Sequence, residues 1–408
     1  MFSNTIMIID EVHNIKENDG LKVLPPLLEK VVKYADNMKL LLLSATPMFD
    51  TSREIVFLIN LMLRNDNRPI INGNDYFDRN GDLIKENEPQ FVRKIRGYIS
   101  YMRGEDPYRF PKRLYPSKRS DNIIEDMPIT DKNGDIIGEA LRIKHLKIVG
   151  CEMQHYQLDI YNKMDNNSEK YGSFNQPGIM CSNIVFPKKD IDPSDEKHKL
   201  GEFISNVGFN NIVNTTKIGK TIKYSMKHDE YKDFFKLENL RNYLTKLVKI
   251  CENIEKSEGI VFVYSQFLNS GIISLALALE YMGYSKYGGS LINESVKQQS
   301  SKYIIISGNN DLSSNAYADY MKIQESNKNG EKIKIILGSQ TAAEGLDFSY
   351  IRSVHIMEPW FHLNKLDQVI GRAIRNCSHI NLAPNNEKLS KIVEGMGAIP
   401  IQLTFSFK

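Results

Sequence analysis

Thr5-Ile-Met-Ile-Ile-Asp10-Glu-Val-His13 is an apolar run that ends in two adjacent carboxylates. A short, uninterrupted apolar run bounded by charge reads as a buried strand of a parallel sheet, with its carboxyl end at the edge where α/β proteins bind ligands. A second run, Lys39 to Leu43, ends at Ser44-Ala-Thr-Pro47, and between the two Leu24, Leu27, Leu28, Val31 and Val32 recur at helical spacing. Strand, helix, strand is one βαβ unit, and Arg53 to Leu63 supplies the next helix. The chain is therefore expected to be α/β from its first residues.

Past Asp66 the pattern weakens. Asn80-Gly81 and Asn133-Gly134 are turn pairs, the second set between short apolar segments like a hairpin, and residues 66–239 read as a connector and insertion. Order returns where Leu240, Leu244, Leu247, Val248, Cys251 and Ile254 share one helical face, followed by the strand Gly259-Ile-Val-Phe-Val-Tyr264 and an amphipathic helix beyond Gly271. Further apolar strands at Tyr303 to Ser307, Lys332 to Leu337 and Ser353 to Met357 alternate with helical segments Ala316 to Ser326 and Leu363 to Arg375. That alternation calls for a mainly parallel sheet. The expected organisation is a first α/β domain over residues 1–65, the connector, and a second α/β domain over residues 240–408, with Gln402 to Phe407 as a closing or truncated strand.

The chemistry begins at the acidic pair. Phosphoryl transfer to water needs one carboxylate to hold Mg²⁺ against the phosphates and another to orient or deprotonate the attacking water, and Asp10 and Glu11 suit those two tasks. The strand after them ends at Ser44 and Thr46, so their hydroxyls should face the same sheet edge, within reach of His13. Thr341 to Asp347 is a small-residue loop at a strand end, a place where backbone can approach an anion closely.

Taken in order, these segments resemble the motifs of superfamily 2 helicases. Asp10-Glu-Val-His13 and Ser44-Ala-Thr-Pro47 look like motifs II and III, Phe262-Val-Tyr-Ser-Gln-Phe267 like motif IV of the Snf2-like branch, and Gly338 to Phe348 like motif V. Gln368-Val-Ile-Gly-Arg-Ala-Ile-Arg375 resembles motif VI and is the most specific of the set. The wording from Met357 to Arg372 is similar to that of the helicase-like ATPases of large nucleocytoplasmic DNA viruses, the group that includes poxvirus-type early transcription factor small subunits and nucleoside triphosphate phosphohydrolase I.

The resemblance implies two RecA-like domains, ATP and Mg²⁺ as cofactors, and nucleic acid, DNA before RNA, as partner in viral transcription. It implies that Asp10 holds Mg²⁺ through water, that Glu11 serves the attacking water, and that His13, Ser44 and Thr46 couple the nucleotide site to the nucleic-acid track. It likewise implies that Gly345, Asp347 and Gln368 approach nucleotide, that Thr341 approaches a phosphate of the strand, and that Arg372 and Arg375 reach the γ-phosphate across the gap between domains. A guanidinium suits that task because its planar, permanently charged fork bridges phosphoryl oxygens, and a spacing of three puts both arginines on one helical face.

The chain departs from the family in one respect: no G-x-x-x-x-G-K-[ST] loop occurs in its 408 residues, and in the family that loop precedes the acidic box. The reading therefore expects a motor lacking its phosphate loop, completed by an upstream-encoded segment, or else a binding module without turnover. The first sheet, short of a central strand, should expose unpaired backbone and apolar surface.

Composition sets outer bounds. With 41% hydrophobic residues the chain can bury two cores, and 53 basic against 50 acidic residues leave any nucleic-acid contact to a local patch. Cys151, Cys181, Cys251 and Cys377 lie far apart, arguing against zinc and a disulfide framework and for a reducing intracellular compartment, with a virion or viral factory in the host cytoplasm as the setting the family suggests. His13, His355 and His362 have no metal-ligand spacing, and Trp360 and Phe361 read as packing residues. Ile272 to Met282 is too short for a membrane span and carries Glu280.

Overall fold

The computed structural model describes residues 2–15, 23–44, 47–48, 51–101, 111–114, 123–124, 129, 135–139, 148–165, 176–192, 198–219, 221–292, 301–313, 315–340, 346–358, 363–379, 381–382 and 398–407. The chain divides into two compact units, Met1–Gly104 with His362–Asn364, and Glu105–Phe361 with Lys365–Lys408. The stretch read as a connector is thus divided near residue 104, its first part packing in the first unit and the rest in the second.

In the first unit β1 (Ile6–Ile9) pairs in parallel with β2 (Lys39–Leu42), Ile6 opposite Lys39. The crossover helix α1 (Leu24–Tyr34) opens with prolines in its first turn, where a missing N–H costs nothing, and buries Leu28 and Val32. Helix α2 (Ile55–Asn65) is apolar on two sides. Phe57, Leu58 and Leu61 pack with Val12, Leu28 and Val32, whereas Val56, Ile59 and Leu63 pack with Ile71, Tyr76, Phe77 and Phe91, the last on α3 (Glu88–Ile95). Asn80-Gly81 forms its turn, Gly81 taking a φ of +85° that an L side chain rarely adopts.

The expectation that β1 is a buried strand fails. Met7, Ile9, Leu40 and Leu42 face the core, but Ile6, Ile8, Leu41 and Leu43 on the opposite face are exposed, Ile6 at 70%. The cause is the small sheet: among the described residues only two strands pair here, and the helices that pack on them cover one face. Leu24 and Leu27, which share the helical spacing of Leu28 and Val32, are exposed as well.

The second unit is built on a sheet of nine strands among the described residues. In chain order they are β3 (Lys112–Leu114), β4 (Ile123–Ile124), β5 (Ile148–Glu152), β8 (Ile260–Tyr264), β9 (Ser285–Lys286), β10 (Lys302–Ile306), β11 (Ile333–Gly338), β12 (Ile351–Ile356) and β13 (Ala398–Phe407); the missing numbers, β6 (Val213–Ile218) and β7 (Thr221–Met226), form a separate hairpin. The spatial order is β4-β5-β13-β12-β8-β11-β10-β9, with β3 also on β13, and all neighbours run parallel except β4 with β5. The C-terminal run read as a closing strand is the longest of the set and links β12 to β5. Asn133-Gly134 lies outside the described residues; Ile137 N donates to Ile129 O on either side of it, at 2.8 Å.

Strand β8 explains the depth of the fold. All five of its residues are buried, Val261 and Val263 in one core and Ile260, Phe262 and Tyr264 in the other. Side chains alternate between faces along a strand, so a run with no polar residue means helices on both sides. Helices α4 (His155–Asp165), α5 (Gln176–Asn183), α6 (Ser205–Ile212), α7 (Leu237–Leu240), α8 (Thr245–Lys256) and α9 (Ser274–Tyr281) precede α10 (Asn310–Ser313), α11 (Ala316–Ile323) and α12 (Leu363–Ala373). Of these α8 and α9 pack on the first face, and α11 and α12 on the second. The helix beyond Gly271, α9, is not amphipathic as expected: Ser274 to Glu280 are all buried, because the helix lies inside the larger core with α8 and the segment before it around it.

A buried polar network fastens the carboxyl ends of the central strands. Glu358, just beyond β12, accepts from Ser265 Oγ at 2.6 Å and from Gln266 N at 2.9 Å, and also from the Asn183 amide. Asn183 Oδ1 in turn accepts from Lys246 Nζ at 2.9 Å, and the same ammonium donates to Ser182 Oγ and Met357 O. Burial holds Lys246 down at about 8 and pushes Glu358 up, the ordinary response of charges taken out of water. Hydrogen bonds to every polar atom are what make such a network tolerable.

Gly271 is required for this arrangement, since a Cβ there would meet Ser265 Oγ at 2.0 Å. Gly271→Ala should cost about 1–3 kcal/mol in urea unfolding by forcing Ser265 off Glu358. Combined with Ser265→Ala the two losses should be less than additive; full additivity would show that the close approach does not matter. Burial lowers His355 and His379 to about 4 in the fold. Their unfolded values stay near 6.5, so the stability each contributes is present above pH 6.5 and is lost as pH falls toward 4, on the order of 3 kcal/mol apiece. Urea midpoints across that range should fall for the parent and fall less steeply for His355→Phe; parallel curves would contradict the assignment.

Candidate functional site

In the first unit the acidic box sits where β1 ends. Leu43 N donates to Ile9 O at 2.8 Å and Val12 N to Leu43 O at 3.0 Å, so the parallel pairing extends past both strands and holds the two segments beyond them side by side. Glu11 takes a left-handed backbone, φ 51°, before the short turn Val12–Asn14. That conformation is uncommon for a residue with a side chain, and cost of this kind collects at functional sites. Val12, 1% exposed, anchors the turn in the core; on either side of it the Glu11 side chain is about half exposed and that of His13 is nearly buried.

Asp10 is exposed, with Oδ1 accepting from Glu11 N at 2.9 Å. His13 Nδ1 lies 2.9 Å from Ser44 Oγ and 3.3 Å from Glu11 Oε2, so one ring nitrogen joins the acidic box to the end of β2. Glu11 Oε2 is itself shielded from water and makes no hydrogen bond among the described residues apart from that approach to His13. Beside His13 opens a cleft of about 770 Å³, lined by Pro47, Thr51, Arg53, Asn60, Arg64 and Asn72 among others. Asp10, Glu11, His13 and Ser44 are thus brought together; Thr46 lies outside the described residues.

No group of three or more metal-ligating side chains occurs among the described residues. A single exposed carboxylate with one oxygen already engaged suits Mg²⁺, which keeps several waters and takes one or two protein carboxylates beside phosphate oxygens. It would not suit a metal that needs a cage of protein ligands.

In the second unit motif IV follows β8 and motif V starts at the carboxyl end of β11, whereas Asp347 and the residues after α12 meet where the chain enters β12. Asp347 Oδ1 is 2.8 Å from Arg375 Nε, an ion pair with both partners partly open to solvent. Tyr317 on α11 holds the Asp347 backbone, donating from its hydroxyl to Asp347 O at 3.1 Å. Phe348 is clamped among the rings of Phe262, Tyr317 and Tyr320, and its N–H donates to Arg372 O at 3.2 Å. Motif V is thereby tied through backbone to motif VI. Gln368 lies half-buried on α12, and Arg372 near its end is 8% exposed. Thr341 and Gly345 lie outside the described residues.

The expectation that Arg372 and Arg375 share a helical face is corrected. Helix α12 ends at Ala373, and Arg375 follows in a turn closed by Ser378 N to Arg375 O at 3.1 Å. Two bonds to β12 and its approach pull the chain off the helical path: Tyr350 N donates to Ser378 O at 3.0 Å, and His379 Nε2 lies 2.7 Å from Ile351 O. Arg372 is therefore packed, while Arg375 is half-buried and paired with Asp347. Sequence reasoning missed Glu358, Lys246 and Asn183, which tie the segment after β8 that bears motif IV to the end of β12; a glutamate after a strand gave no sign of being buried.

Residues 240–377 match the helicase conserved C-terminal domain. Over 396 residues the chain is 31% identical to a putative ATP-dependent RNA helicase of Acanthamoeba polyphaga mimivirus, covering 92% of this chain and 57% of that protein. A putative helicase of Invertebrate iridescent virus 3 is 27% identical across 95% of this chain and 34% of its own length. Nucleoside triphosphatase I of Choristoneura biennis entomopoxvirus is 28% identical across 93% and 55%. The C-terminal part of the Fun30 ATPase domain aligns with 64% of this chain and 84% of its own at 14% identity, with a TM-score of 0.35 that carries no weight for the fold. The chain spans from a third to somewhat over half the length of these viral relatives. The matching C-terminal domain and these relatives identify the chain as a member of the superfamily 2 helicase-like proteins of large DNA viruses.

Proposed function

We propose that the chain is a fragment of an ATP-dependent nucleic-acid motor of viral transcription, acting on DNA before RNA within the infected cell. The observation that carries this reading is the grouping of Asp10, Glu11, His13 and Ser44 at the carboxyl edge of a parallel strand pair, in a chain whose second unit pairs Asp347 with Arg375 where the chain enters β12. Asp10 would hold Mg²⁺ through water, and Glu11, kept in place by His13, would orient the attacking water. Mg²⁺, when bound, neutralises charge developing on the phosphoryl oxygens. Arg375 would leave Asp347 to meet the γ-phosphate, and Arg372, packed under it, would fix the segment from which it reaches. Gly345, Asp347 and Gln368 would line the nucleotide, Thr341 would meet a phosphate of the strand, and the His13–Ser44 contact with Thr46 would pass the state of the nucleotide to the nucleic-acid track.

A phosphate-binding segment outside the 408 residues would complete the nucleotide site and cover the bare face of β1 and β2. Support comes from the exposed Ile6, Ile8, Leu41 and Leu43, from the lack of a phosphate-loop sequence, and from relatives of greater length. The lack of that sequence also favours a second reading for the chain on its own, a nucleic-acid-binding module without turnover.

Mg²⁺-dependent ATP hydrolysis, stimulated by DNA or RNA, should be absent from the purified chain and should emerge when the segment encoded immediately upstream is added. Appreciable hydrolysis by the chain alone would overturn this account of phosphate binding. In the completed protein Arg375→Ala should lower turnover by about 10²- to 10⁴-fold while nucleotide affinity changes only a few-fold, because the contact strengthens in the transition state. Equal losses in both would remove Arg375 from that role.

A further inference from the structure

The β6–β7 hairpin belongs to none of the motifs, yet its charged side chains are all basic. From Phe203 to His228 the sequence holds Lys217, Lys220, Lys223 and Lys227 and no Asp or Glu, in a chain whose basic and acidic residues otherwise nearly balance at 53 and 50. Such segregation concentrates positive potential that the net charge of +3 conceals.

The hairpin projects. After Val213, every residue of β6 from Asn214 to Ile218 is exposed, and because successive side chains point to opposite faces, both faces of the ribbon meet solvent near its tip. Ile218, next to the turn, is 57% exposed. An isolated two-stranded hairpin is marginal in water, so this one needs a mount. Tyr224 supplies it, buried edge-on against Phe209, with its N–H donating to Leu291 O at 2.7 Å. Lys223 Nζ donates to Ser290 O at 2.7 Å, and the 290–292 segment is itself held by the buried Glu280 carboxylate, which accepts from Ser290 Oγ and from the N–H groups of Leu291 and Ile292. The ribbon is thus anchored at its base and bare at its end.

Its charge is mostly uncompensated. Lys217 pairs with Asp311 at 2.6 Å, but among the described residues Lys223 and Lys227 bond to carbonyl oxygens and to no carboxylate. The exposed side chains between the lysines, Asn214, Thr215, Thr216, Thr221 and Ser225, are neutral hydrogen-bonding groups suited to phosphate oxygens.

From this we infer that the β6–β7 ribbon is a nucleic-acid contact separate from the motif-bearing loops, gripping the phosphate backbone of a duplex. A two-stranded ribbon has the width that the major groove of a duplex admits. The inference rests on the nucleic-acid reading above, and adds a contact that does not depend on nucleotide.

The test is the affinity of the full chain for a fluorescein-labelled DNA duplex of mixed sequence, read by anisotropy over a range of salt. The Lys217→Ala, Lys227→Ala double variant, with an unfolding midpoint like the parent's, should bind roughly tenfold more weakly near physiological salt and lower the slope of log K against log salt by about two. Asp311→Asn, which releases Lys217 from its partner, should bind a few-fold more tightly. If the parent binds duplex and neither variant departs from it, the ribbon assignment is wrong and the motor reading stands. If the parent binds neither duplex nor single strands, the nucleic-acid reading itself fails. If the double variant loses affinity for polyglutamate as much as for the duplex at equal salt, the ribbon is a site for an acidic protein, and the inference is overturned.

Discussion

Glu358 is a carboxylate taken out of water, and the carboxyl edge of the second unit is organised around satisfying it. Its partners come from the segment after β8, from the end of α5 and, through Asn183, from Lys246 on α8. Removing any one donor would leave a buried charge short of a hydrogen bond, at a cost of about 1–3 kcal/mol or more, so the elements hold one another in register. The same edge carries motif IV, after β8, and the start of motif V, after β11. Rigid strand ends of this kind are what let a few side chains be presented to a ligand at fixed spacing.

The first unit has the opposite character. Its two strands form an edge-to-edge pair with apolar residues facing outward, Ile6 and Ile8 beside Leu41 and Leu43. Exposed apolar surface on a strand pair invites a partner. Against that loosely covered sheet, the contact of His13 with both Glu11 and Ser44 is local and specific, linking the acidic box to the following strand without any need for a deep core.

Much of the architecture was legible in the sequence, for reasons that differ by element. Gly259-Ile-Val-Phe-Val-Tyr264 could be placed because a strand buried on both faces carries no polar residue to confuse it. The βαβ pattern from Thr5 to Leu43 was equally plain, but its burial was not, since an apolar run has the same appearance whether or not something covers its second face. The region from 148 to 239 was opaque because β5 finds its partner in β13, some 250 residues later, and no local period reports such a pairing. Hairpin β6–β7 carried a usable sign, Gly219 between two runs rich in threonine, isoleucine and lysine, that went unread. Arg375 left the helix through bonds from Ser378 and His379 to residues near Tyr350 and Ile351, which helical spacing alone does not foresee.

The account stands on the acidic box and the arginine of motif VI serving one bound triphosphate. The most direct measurement is an experimental structure of the completed protein with Mg²⁺ and a non-hydrolysable ATP analogue. Asp10 should then lie within water-bridged reach of the metal, with Arg375 released from Asp347 and its guanidinium on the γ-phosphate. A structure in which the analogue is bound, Arg375 still grips Asp347 and the carboxylates of Asp10 and Glu11 face away from the phosphates would contradict it.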